Sequence, residues 1–237
     1  MKEKFGNTID FCLFHIEKCA GSSLRSMLHE YFKNIYDTQE IFLPEKYKNE
    51  HNLMNENDLA FIKQNDFKVL LCHCNFNQPG VTDLFSKTCF SITCVRDPFS
   101  RSLSHYYHFI RNDNRAFSDL TNDEILSIIP RIAPNLLTSR LSGFQDNIEI
   151  ALQNVKHINC ILIFENLKND IISLNNILND VTHSKVKLNM AFRNVRSSYS
   201  EKDYARIKQF HQYFQNDILL YNTIVKMGAK NRFRIKC

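Results

Sequence analysis

Apolar positions along the chain fall into short unbroken runs separated by stretches of helical period. Ile9, Phe11, Cys12, Leu13, Phe14 and Ile16 make one such run, as in a strand covered on both faces of a parallel sheet. Leu24, Met27, Leu28 and Tyr31 follow at i, i+3, i+4 and i+7, which predicts a helix from about Ser22. The next strands are expected at Phe67, Val69, Leu70 and Leu71, at Cys89, Phe90, Ile92, Cys94 and Val95, and late in the chain at Ile161 to Phe164. Asp97-Pro98 supplies an N-cap and a first-turn proline, opening a helix that turns Phe99, Leu103, Tyr106 or Tyr107, and Ile110 inward. Further helices are predicted around Ile125 to Ile129, stopped by Pro130, at Ile148 to Val155, at Leu167 to Leu178, and as one long element from Glu201 to Met227. Residues 44 to 66 are polar and lack a strong period until Leu59, Phe61 and Ile62, so a loop and short helix are expected there, bordering a cleft. Strand, turn and helix in this order predict an α/β domain with a mostly parallel sheet and ligand at the carboxyl ends of its strands.

The first strand runs through Glu17, Lys18, Cys19, Ala20, Gly21, Ser22 and Ser23 into its helix. Small residues there leave backbone N–H groups uncovered at the positive end of the helix dipole, where a phosphate or sulfate fits. There is no G-x-G-x-x-G, and Lys18 precedes its glycine instead of following it as in a Walker loop. A solvated lysine at a strand end is the competing reading of Lys18.

At the end of another strand, Arg96 sits just before the Asp97 cap, where a forked guanidinium can grip a phosphate bidentately. Ser104 falls on the upper side of the following helix. The alternative is a surface pair between Arg96 and Asp97, with Ser104 a filler hydroxyl. The third strand ends in Cys72-His73-Cys74-Asn75-Phe76. His73 is read either as a functional group or as a satisfied strand-end histidine. Alternation puts Cys72 and Cys74 on one side and His73 on the other, which is poor geometry for a tetrahedral metal. His105 and His108 are expected on a helix surface, and His15 in the core.

Taken together, Lys18 to Ser23 and the segment Val95-Arg96-Asp97-Pro98, Arg101, Ser104, Tyr106-Tyr107 resemble the two nucleotide motifs of sulfotransferases that use 3′-phosphoadenosine 5′-phosphosulfate (PAPS). The resemblance is to the carbohydrate group that includes heparan sulfate 2-O- and 6-O-sulfotransferases, and it covers roughly residues 9 to 225. It implies a three-layer, P-loop-like fold. It also implies that Lys18, Cys19, Ala20, Gly21, Ser22 and Ser23 hold the 5′-phosphosulfate and that Arg96 and Ser104 hold the 3′-phosphate. His73-Cys74-Asn75-Phe76 is similar to the family's H-x-x-[FY], whose histidine is the catalytic base, although Cys72 stands where relatives often have glycine. Asn135 to Gly143 resembles the family's N-x-x-T-R-x-L-x-G stretch, and Glu165 its strand-end glutamate, read here as an orienting group or a structural carboxylate. Arg193, Arg196 and Ser198 occupy the place of a loop that covers the cofactor and are weaker candidate contacts. Arg101 is read as a motif residue that either meets ligand or braces the loop. The acceptor implied is a carbohydrate or other hydroxyl-bearing molecule, with no metal. An ATP-dependent small-molecule kinase and a non-catalytic nucleotide-binding module are the competing functions.

Composition adds limits. At 237 residues the chain suits one domain, with a core over about 9 to 227 and a loosely packed basic tail from 228 to 237. A formal net charge of +5 suits an anionic cofactor but is no basic stripe, and nucleic acid is not required. Five of the eight cysteines fall in predicted strands, so a reducing compartment is favoured over a disulfide framework, with Cys19 a candidate reactive thiol. No apolar stretch reaches the length of a membrane span, and Met1 to Thr8 lacks the order of a signal peptide. The Golgi members of the family are anchored. The expectation here is a soluble, cytoplasmic enzyme.

Overall fold

A computed structural model describes residues 9–43, 54, 56–76, 80–109, 115–143, 146–189 and 199–234. Five strands form the sheet: β1 (Ile9–Phe14), β2 (Ile41–Phe42), β3 (Val69–Cys72), β4 (Phe85–Val95) and β5 (Cys160–Ile163). Their order is β2-β3-β1-β4-β5, and every pairing is parallel. All four residues of β3 and of β5 are buried, which is why these strands read as solid apolar runs. Phe14 pairs with Cys72 on one side and with Thr93 on the other.

Ten helices lie among the described residues: α1 (Gly21–Phe32), α2 (Glu56–Gln64), α3 (Pro98–Phe109), α4 (Asn122–Ile128), α5 (Leu136–Ser142), α6 (Ile148–Val155), α7 (Leu167–Thr182), α8 (Glu201–Lys208), α9 (Gln215–Lys226) and α10 (Gly228–Arg232). The main core joins the strands to α1, α5, α6, α7 and α9. A second apolar cluster joins Phe99 and Leu103 of α3 to Phe117, Ile132, Ile207 and Phe214.

Two expectations change. The single helix over Glu201 to Met227 is broken into α8, a 3₁₀ turn at His211–Tyr213, and α9. At the break the backbone changes to i→i+3 bonds, with Phe210 N–H on the Ile207 carbonyl at 3.0 Å and Phe214 N–H on the His211 carbonyl at 2.9 Å, and Phe210 and Phe214 both belong to the second cluster. Residues 228–234 of the segment expected to be a loose tail are instead docked. Arg232 is buried and donates to Asp170 Oδ2 at 2.7 Å, Asp170 Oδ1 at 3.1 Å and the Ile161 carbonyl at 2.9 Å. Phe233 forms an antiparallel bridge with Cys160, and Arg234 N–H donates to the Asn159 carbonyl at 2.7 Å.

Candidate active site

The topology itself assembles the site. The chain leaves β1 toward β2 and β3 on one side, then returns to β4 and β5 on the other, so β1 is the switch point. Ligands of open parallel sheets bind at the carboxyl ends of the strands at such a point. The segments after β1, β3 and β4 carry Lys18, His73 and Arg96, and β1 is hydrogen-bonded to both other strands.

The turn after β1 is a strained cradle. Lys18 and Ala20 adopt left-handed backbone, with φ of 65° and 62°, a conformation that costs a non-glycine residue about 1–2 kcal/mol. Left-handed residues alternating with ordinary ones make a concave nest of N–H groups. The helix α1 that follows has no side-chain cap on its N-terminal groups and no acid in its first turn. Lys18 and Ala20 are half-buried, Cys19 and Ser23 buried, and Ser22 exposed. Gly21 admits no side chain: a Cβ there would lie 1.5 Å from Cδ2 and 1.6 Å from Nε2 of His15. The cradle therefore fits an anion held mainly by backbone. Cys19 is not the reactive thiol expected, since burial pushes it up to about 12.

Arg96 is buried at 4% exposure, not paired on the surface with Asp97. Its Nη1 donates to the Lys18 carbonyl at 3.2 Å, tying the β4 segment to the cradle. Its guanidinium carbon lies 4.0 Å from the Phe164 ring centroid and 5.6 Å from that of Tyr199, a cation–π arrangement that holds the charge in a desolvated place. Tyr199 in turn stacks on Tyr107 at 5.7 Å and 5°. Asp97 caps α3, accepting from Ser100 N–H at 2.8 Å. Glu165 is a brace: Oε1 accepts from Asp97 N–H at 3.0 Å and Oε2 from the Tyr221 hydroxyl at 2.8 Å. Ser104 is half-buried on α3. Arg101 is wholly buried and donates to Ser102 Oγ at 3.0 Å, to the Ile132 carbonyl at 3.0 Å and to the Ala133 carbonyl. Those bonds make it a brace.

His73 follows β3 and is buried at 4% exposure. Its ring centroid lies 3.8 Å from that of His15, with planes at 31°. Burial pulls His73 down to about 4; Glu17 works against this, while Arg25 and Arg140 add to it. The ring is therefore neutral near pH 7 and able to accept a proton. His15 is also held well below its ordinary value, first by burial and then by His73 and Arg25. The sequence reading placed it in the core and missed that it lines the cradle.

A second group escaped that reading. Arg140, on α5, donates from Nε to Glu17 Oε2 at 3.0 Å, from Nη2 to Glu17 Oε1, and from Nη1 to Asn75 Oδ1 at 3.1 Å. Burial raises the Glu17 carboxyl, and the Arg140 guanidinium outweighs that and leaves it below its ordinary value. The available signal was an acid directly before Lys18 at the end of an apolar strand, and an arginine between Leu137 and Leu141 of a helix.

Arg193, Arg196 and Ser198 lie outside the described residues. His105 is buried at 3% exposure against Phe109, not on the surface as expected, whereas His108 is half-buried. Cys12, Cys72 and Cys74 are buried together, and hydrogen bonds from the first two hold the Cys74 thiol below its ordinary value. Among the described residues no group of three or more His, Cys, Asp or Glu is arranged to hold a metal, and no helix is long and apolar enough to cross a membrane.

The comparisons with known proteins agree with this architecture. The fold is similar to the crystal structure of a sulfotransferase from Alicyclobacillus acidocaldarius, with a TM-score of 0.51 at 13% identity over 94% of this chain and 97% of that one. No curated protein matches the chain significantly. The family model described as "Sulfotransferase family" matches residues 7–222. That span takes in the cradle, the strand-end histidine and the buried arginine together, and the chain belongs to the sulfotransferase family.

Proposed function

We propose that this sulfotransferase moves a sulfuryl group from PAPS to an acceptor hydroxyl, on a carbohydrate. The supporting observation is the convergence of the Lys18 turn, Arg96 and His73 at the carboxyl ends of three neighbouring parallel strands. The fit of the cofactor rests on the cradle, whose backbone is too closely packed for a side chain at Gly21, and on the buried cation Arg96 beside it. The bound donor supplies an activated sulfuryl group.

The chain's own residues would position and neutralise, as in phosphoryl transfer. Backbone N–H groups from Ala20 through Ser23 hold the 5′ side, with the Cys19 N–H bonded to the Ile16 carbonyl at 3.3 Å, and the Lys18 ammonium offsets charge on the bridging oxygen and departing phosphate. Arg96 and Ser104 hold the 3′-phosphate, with Arg193, Arg196 and Ser198 as covering contacts. Neutral His73 takes the acceptor's proton. Cys12, Cys19, Cys72, Cys74, Cys89, Cys94 and Cys160 are free thiols, which supports a reducing compartment such as the cytoplasm.

The test is transfer of labelled sulfate from PAPS to a pool of glycans, read by mass spectrometry. His73→Ala should lose transfer by roughly two to four orders of magnitude, the usual worth of a general base, while calorimetry shows the desulfonated product PAP still bound. Parallel loss of PAP binding would make His73 structural. Thermal stabilisation by ATP with none by PAP would favour a kinase.

A further inference from the structure

We propose that Glu17, Arg140 and Asn75 form a positioning bridge that holds the donor cradle at a fixed separation from the base segment. The inference rests on the reading of Lys18 and His73 given above and concerns how the two are held together. Glu17 immediately precedes Lys18, and Asn75 lies two residues after His73. Arg140 reaches both, with two bonds to the Glu17 carboxylate and one to the Asn75 amide oxygen. Its own carbonyl accepts from Phe76 N–H at 3.0 Å, so the β3 segment is gripped twice.

The arm that carries the bridge is itself fixed. The buried Asp217 carboxylate takes the Leu137 and Thr138 N–H groups at 3.1 and 2.8 Å, fastening the start of α5 to α9. Asn154 of α6 donates to the Leu141 carbonyl at 2.7 Å and fastens its other end. Lys18 thus sits between two guanidiniums on opposite flanks: Arg96 holds its carbonyl, and Arg140 holds its neighbour's carboxylate. A left-handed non-glycine residue persists only where its surroundings over-determine it.

Stability alone does not account for the arrangement, because a buried ion pair is seldom more stabilising than apolar residues of the same volume. What the pair adds is geometry and a field. The groups facing His73 are His15 and Glu17 from the cradle, Arg25 from α1 and Arg140 from α5. Within that set Glu17 raises the affinity of His73 for its proton and Arg140 lowers it.

The opposite signs provide a test that a merely structural pair would not pass. Glu17→Gln should move the acid limb of kcat/KM to lower pH, and Arg140→Gln should move it to higher pH. Asn75→Ala cuts the side-chain link to the base segment, with both charges and the Phe76 backbone bond kept. It should lower kcat by about tenfold to a hundredfold, the scale of an ångström-sized misplacement, with PAP affinity by calorimetry unchanged and the limb unmoved. If the single variants do not fold, Glu17→Gln/Arg140→Gln removes both buried charges at once; it should melt near the wild type yet keep a lowered kcat. Limbs that move in the same direction or stay still would overturn the bridge, as would wild-type kcat in Asn75→Ala or in the double variant. An acid limb that persists in His73→Ala would sink the underlying reading of His73 instead, so the two failures are told apart.

Discussion

Gly21→Ala puts a methyl group where the His15 ring now lies. The added carbon would sit 1.5 and 1.6 Å from two ring atoms and 2.5 Å from a third. Ordinary contact is about 3.5–4.0 Å, so the ring must retreat by about 2 Å. Retreat toward His73 is blocked, because that ring's centroid lies 3.8 Å away with the planes at 31°. Overpacking of this kind costs about 1–3 kcal/mol, and alanine recovers at most about 1 kcal/mol of that through helix propensity. With that recovery in full, the net loss of up to about 2 kcal/mol should lower the melting temperature by up to roughly 8 °C, at 2–4 °C per kcal/mol for a chain of this size. Turnover should fall further than stability, since displacing His73 by an ångström costs about a hundredfold. Scanning calorimetry and sulfate transfer read the two effects. A cycle with His15→Ala isolates their cause: with the ring gone the methyl fits, and the pair should show a coupling energy of about 0.5–3 kcal/mol. A Gly21→Ala protein that melts and turns over with the wild type would refute the placement of His15.

Arg96→Ala should weaken PAP binding by about 1.5–3 kcal/mol, the worth of hydrogen bonds to a charged group, and unchanged affinity by calorimetry would remove Arg96 from the phosphate site. Asp170→Ala strands a buried Arg232 and should cost about 3–5 kcal/mol of stability in urea titration; a loss within the surface range would show that the pair is open to water. Cys19, pushed up to about 12, should escape alkylation in the folded protein at neutral pH, and a labelled Cys19 peptide by mass spectrometry would contradict its burial. The Glu17 carboxyl titrates below its ordinary 4.5 when folded. Its contribution to stability is therefore fully present above that value and is lost as pH falls through the folded value. Arg140→Gln should flatten the acid arm of stability against pH, and an unchanged arm would count against the pairing.

Parallel strands buried on both faces announce themselves as solid apolar runs, so the cores of β1, β3, β4 and β5 were legible, whereas the polar start of β4 from Phe85 and the two-residue β2 have no apolar pattern long enough to read. The Asp97-Pro98 helix start was equally clear, because capping is local. The break between α8 and α9 was not, since no glycine or proline marks it. For the candidate site, the order of the three motifs along the chain was readable. What escaped was the set of contacts between them: His15 against Gly21, Arg96 on the Lys18 carbonyl, and Arg140 joining Glu17 to Asn75. Each joins residues brought together by topology, with nothing in the local sequence that points to its partner.

Docking of residues 228–234 also bears on the margin of the sheet. An uncovered parallel edge made of Cys160, Ile161, Leu162 and Ile163 would offer its backbone groups to any passing strand. Arg232 takes the Ile161 carbonyl, Phe233 bridges Cys160 and Arg234 takes the Asn159 carbonyl just before it, a hem along the start of that edge, and the opposite margin is only Ile41 and Phe42 long. A chain truncated at Met227 would bare that apolar border and strand Asp170 together, so aggregation, more than loss of chemistry, is the defect it should show.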